Sequence, residues 1–96
     1  MREVFFGDFR VIVIEHIRAV EATDPEPHSV EWFLLRYLRR VARTANPPTT
    51  PGSMENAMRA LIRFYVDMID EHSELADRCL KINEEYRKAI RNREEK

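Results

Sequence analysis

Two glycines occur in 96 residues, and they stand far apart at Gly7 and Gly52. Phosphate-cradling loops, which need closely spaced glycines, are therefore excluded. The same scarcity disfavours an all-β sandwich, whose short strands require frequent turn residues. One cysteine, Cys79, leaves no internal disulfide and no paired-cysteine motif. The longest apolar runs, residues 11–14 and 32–35, are four residues each. A bilayer-spanning helix needs ~20, so no membrane partner is expected. The stretch Met1-Arg2-Glu3-Val4-Phe5-Phe6 has neither a long apolar region nor a small-residue cleavage site. With the lone cysteine, this gives a reducing cytoplasm as the expected location. The net charge of -1 creates no global field that would recruit nucleic acid or an anionic surface.

What remains is a helical composition. Apolar residues make up 44% and charged residues 34%, enough apolar surface for one small folded domain over residues 1–96. The charge alternates in blocks. Residues 1–30 and 53–80 are net acidic, whereas residues 31–52 carry four arginines and one glutamate, and residues 81–96 are net basic. Antiparallel helices of opposite charge lying side by side account for such a pattern.

From Ser53 to about Arg91 there is no glycine and no proline. Met58, Leu61, Tyr65, Met68, His72, Leu75, Cys79, Ile82 and Tyr86 follow one another at alternating steps of three and four, the seam of a heptad repeat. Ile62, Ile69 and Ala76, then Asn83 and Ile90, run beside it. The spacing predicts a continuous helix of ~40 residues, about 60 Å long. The polar window Asp70-Glu71-His72-Ser73-Glu74 is the one place where a turn would instead give four helices of similar length, an up-down bundle.

Before it, Phe6, Phe9, Val13, Ile17 and Val20 share one helical face, predicting a helix over 9–22 with Asp8 as its cap and residues 2–6 extended. The β-branched run 11–14 and the Gly7-Asp8 pair allow a hairpin over residues 2–14 as the alternative. Two prolines, Pro25 and Pro27, break the chain after this segment. Ser29, or the Thr23/Glu26 pair further upstream, opens a second helix running to about Arg43. Its stripe of Val30, Leu34, Tyr37 or Leu38, Val41 and Ala45 is widened by Trp32, Phe33 and Leu35, so it should sit between two neighbours, with Trp32 and Phe33 in the core. Residues 44–52, with three prolines, read as a loop. Ser53 or Thr50 starts the segment after it, with Ser53 as its cap, and residues 88–96 are expected to fray as a charged tail.

The expected fold is thus all-α: three helices, the last one long, or a four-helix bundle if that helix breaks, with a short extended N-terminal segment. Two short helices cover only half of a 60 Å helix. Its distal seam, Leu75, Cys79, Ile82, Tyr86 and Ile90, is then left for a partner, either a second copy in a coiled-coil homodimer or another helical protein. The expected function is that of a small non-catalytic interaction or regulatory protein. The alternative is a dimeric nucleic-acid-binding regulator that uses Arg36, Arg39, Arg40 and Arg43 of the second helix; Arg36, Arg40 and Arg43 share a face and Arg39 lies to its side.

No catalytic residues, cofactor or metal are expected. His16 and His72 adjoin carboxylates, but adjacent residues do not share a helix face, as bundle metal sites require. His72 reads as a polar seam residue that sets register, and Cys79 as a small core hydrophobe.

Overall fold

The computed structural model describes residues 6–46 and 49–94; the expected extended segment at 2–5 lies outside them. Among the described residues all regular structure is helical: α1 (Gly7–Glu21), α2 (Val30–Ala45), α3 (Pro51–Met68) and α4 (Glu74–Glu94).

The apolar spacing of the first segment produces α1. Phe9, Val13, Ile17 and Val20 are its buried face. The helix starts at Gly7, so the Gly7-Asp8 pair is helical and the hairpin alternative falls. Asp8 is not the cap. The chain enters through Phe6 without a side-chain cap, and Asp8 lies in the first turn, where its charge faces the positive end of the helix. Beyond α1, Thr23 donates from Oγ1 to the Val20 carbonyl at 2.7 Å. The connection then passes through two left-handed residues, Asp24 (φ 51°) and His28 (φ 70°).

Ser29 caps α2: its backbone is extended and its hydroxyl accepts from the Trp32 N–H at 3.2 Å. Thr50 does the same for α3, accepting from Ser53 N–H at 3.2 Å, and Pro51 occupies the first turn, where a missing N–H costs nothing. Pro51 and Gly52 therefore belong to a helix, and the loop expected over 44–52 is shorter at both ends.

The long C-terminal helix is the main correction. It breaks at Ile69, whose backbone is extended (φ -104°, ψ 129°). A single helix over 51–94 would measure about 66 Å, whereas the longest dimension of the molecule is 41 Å. Polar side chains make the turn. Asp70 Oδ1 accepts from the His72 N–H at 3.0 Å. The Ser73 hydroxyl donates to the Asp70 carbonyl at 2.6 Å and accepts from the Ala76 N–H at 3.3 Å. Glu74 and Asp77 then fall in the first turn of α4, again at the positive end. His72 is exposed in this turn and sets no register.

The result is a four-helix ring. α2 packs closely on α1 and α3, as its broad apolar face requires, and α4 closes the ring with lighter contacts to α1 and α3. Ring contacts fix the antiparallel order: Tyr37 stacks on Phe64 between α2 and α3 at 4.7 Å, and Phe9 meets Tyr86 between α1 and α4 at 5.6 Å. Leu34, Leu38 and Val41 of α2 form the centre of the core with Val13, Leu61 and Ile82. α4 continues through Glu94, with Ala89 and Ile90 against the core, so the segment from residue 88 that was expected to fray is helical to that point.

Replacing Leu38, fully buried, with Ala should cost about 2–5 kcal/mol. Leu80→Ala, at a half-exposed position, should cost under ~1 kcal/mol. Thr49 is buried and its Oγ1 has no hydrogen-bond partner among the described residues, so Thr49→Val should raise stability by about 1 kcal/mol. Urea unfolding of the three variants checks all three, and a fully tolerated Leu38→Ala would contradict the core as described.

Candidate interaction surfaces

The distal seam is closed within the chain. Cys79 and Ile82 are fully buried and Tyr86 nearly so. Tyr86 lies against Phe6 at 6.1 Å and Phe9 at 5.6 Å, while Leu75 and Ile90 are half-buried on the rim of the core. The expected open face required a continuous helix. Once the chain turns at Asp70, α4 folds back and its apolar side is covered by α1 and α3. Burial also pushes the Cys79 thiol up to about 11, so it is a protonated core group.

The arginine face of α2 is where the sequence places it. Arg36, Arg39, Arg40 and Arg43 are all exposed on the side of α2 opposite its buried face. Glu31, in the first turn, is the one acidic residue of this helix. Arg39 is held by Glu21 of α1 at 2.8 Å. Among the described residues no carboxylate pairs with Arg36, Arg40 or Arg43. The internal neutralisation implied by the charge blocks therefore reaches one arginine of the four.

The stripe ends in an aromatic patch. Arg36 sits 5.5 Å from the centre of the Trp32 ring, a cation–π distance. His28 lies 4.9 Å from the same ring and Phe33 5.0 Å. The left-handed backbone of His28 directs its ring to Trp32; that conformation costs a non-glycine residue on the order of 1 kcal/mol. Trp32 and Phe33 are both partly buried: Phe33 packs against the core, as expected, whereas Trp32 lies at its rim and not within it. The i to i+4 spacing of Trp32 and Arg36 carries this pairing in the sequence, but the contribution of His28 depends on its φ and was not legible there.

His16 and Arg78 meet across α1 and α4. Arg78 donates from Nη1 to His16 Nδ1 at 3.2 Å, which requires the neutral imidazole at that nitrogen. A shallow cleft of about 330 Å³ surrounds them, with Glu15, Lys81 and Glu85 on its walls. A larger one of about 650 Å³ opens beside it, between the α1–α2 connection and the start of α4, rimmed by Asp24, Glu26, Glu31 and Glu74. Among the described residues no group of three or more histidine, cysteine or carboxylate side chains is placed to hold a metal ion, and no helix is long and apolar enough to cross a membrane.

Burial, and then Arg78 and Lys81, lower the pKa of His16 below 6.5; Glu15 opposes them. The folded state thus prefers the neutral ring. The associated stability is present above 6.5, the unfolded value, and is lost as the pH falls from there towards the lowered folded value. Between pH 7.5 and 5.5 the wild type should lose more stability than His16→Gln, which keeps an acceptor but does not titrate. Equal losses in urea unfolding at the two pH values would remove His16 from that role.

No family model, curated protein or solved structure matches the chain.

Proposed function

We propose that this is a non-catalytic interaction protein whose working surface is the outer face of α2, and that its partner is an acidic segment of another protein. The reading rests on one observation: a stripe of four exposed arginines in which one is internally paired. Exposed cations that have no partner of their own keep their full donor capacity, and guanidinium groups match carboxylates in a two-pronged geometry. From Trp32 to Arg43 the stripe runs about 17 Å along the helix, the length of a short acidic helix or loop. Trp32 adds a large, partly exposed ring at one end, a residue type that commonly anchors interfaces. The buried thiol of Cys79 and the scattered histidines support the non-catalytic part of the reading.

The distal seam expected from the sequence does not serve this role in the closed chain, because its central residues are already covered. A second reading keeps the same face and changes the partner to single-stranded nucleic acid, with phosphates on the arginines and a base stacked at Trp32. The acidic character of residues 1–30 and 53–80 favours the protein partner, since a long polyanion would be repelled wherever it extended past the stripe.

Fluorescence anisotropy with a labelled polyglutamate peptide and a labelled single-stranded oligonucleotide separates the two. The peptide should bind at low salt, weaken as salt rises, and lose at least tenfold in affinity to Arg40→Glu combined with Arg43→Glu. Tighter binding of the oligonucleotide would transfer the face to the second reading, and no binding of either probe would end both.

A further inference from the structure

We infer that this chain exchanges α4 with a second copy of itself, the turn at Ile69 to Ser73 straightening so that α3 and α4 of each copy become one helix. The inference is independent of the α2 face and rests on four observations.

The first is the phase of the apolar seam. Steps of three and four run from Leu61 through Met68, His72 and Leu75 to Ile82 without interruption, although the structure turns in their midst. Because the turn leaves that phase intact, a straightened α3 and α4 would share one continuous apolar seam. The second is the backbone of the turn. It contains no glycine and no proline, and the left-handed residues of the described chain, Asp24 and His28, lie elsewhere. Every residue from 69 to 73 can therefore enter a right-handed helix without strain. What holds the turn is polar capping by Asp70 and Ser73, the backbone hydrogen bond from Ser73 N–H to the Asp70 carbonyl, and the burial of the Ile69 side chain.

The third is the looseness of α4. It makes the lightest contacts of the ring, and both clefts beside α1 lie along it. The fourth is the surface just before the turn. Val66 is 70% exposed and Met68 55%, two large apolar side chains with no cover in the closed chain. In the exchanged dimer the two straightened segments pass each other about a two-fold axis, and Met68, on the seam, faces its counterpart, whereas Val66, two positions before it, lies on another side of the helix. All other contacts are kept, with Tyr86 on Phe9 and Arg78 on His16 now made between copies. The exchange therefore sacrifices only the turn, and gains helical hydrogen bonds through it and apolar contact at the crossing.

Sedimentation velocity over a wide concentration range, after long incubation at high concentration, tests this. Removing the caps with Asp70→Ala and Ser73→Ala should lower the dimer dissociation constant by at least about tenfold, given that each cap favours the closed form. Inserting two glycines after Glu71 should leave a monomer of native helicity. Topology is read by mixing a chain carrying His16→Cys with a chain carrying Arg78→Cys and treating the mixture with a short bis-maleimide. An exchanged dimer gives a bridge between the two different chains. A cap-free variant of native helicity that stays monomeric throughout would overturn the inference, and so would a dimer that forms no such bridge.

Discussion

The Ser73 hydroxyl works in two directions. It donates to the Asp70 carbonyl and accepts from the Ala76 N–H, closing the turn behind it and opening the helix ahead. The rest of the molecule depends on that junction. With it, α4 reverses and covers α1, Tyr86 reaches Phe9, and Cys79 and Ile82 enter the core. Without it, α4 projects from α3 with its apolar side uncovered. The junction itself is weak, since a helix cap contributes about 1 kcal/mol. It is effective because the burial it permits along α4 is much larger than the hydrogen bonds that make it.

α2 is the complementary fixed point. Its apolar face spans more than one neighbour can cover, so α1 and α3 both pack on it and its opposite side is necessarily the outside. The four arginines follow from that division: a helix that gives one whole side to the core has only the other for its charges. Arg39 finds Glu21 because α1 lies on that flank, whereas Arg40 and Arg43 are exposed and have no carboxylate partner among the described residues.

Much of this was legible in the residues. The apolar faces of the first two helices, the Ser29 cap and the arginine stripe can all be read from type and spacing, whereas the cap of α3 is Thr50 and not Ser53, whose N–H it accepts from. The break between α3 and α4 was visible only as a polar window. Heptad phase reports which residues share a side of a helix, not that the helix is unbroken, and a five-residue turn held by Asp70 and Ser73 leaves the phase intact. The signal present was Ser73 followed by Glu74 and Asp77, a cap and two acids in a first turn, and the seam outweighed it. Trp32 was misassigned for a different reason. Its bulk argues for the core, but its place one turn before Arg36 puts it on the cationic side.

That place gives the molecule an optical property. Trp32 is the one tryptophan of the chain, partly exposed, with a guanidinium over its ring and an imidazole 4.9 Å away. An indole so situated emits according to its immediate surroundings, and a neighbouring imidazole quenches it more strongly once protonated. The intrinsic fluorescence of this protein therefore originates beside the arginine stripe, and whatever docks there, or displaces His28, reports itself in the emission without a label.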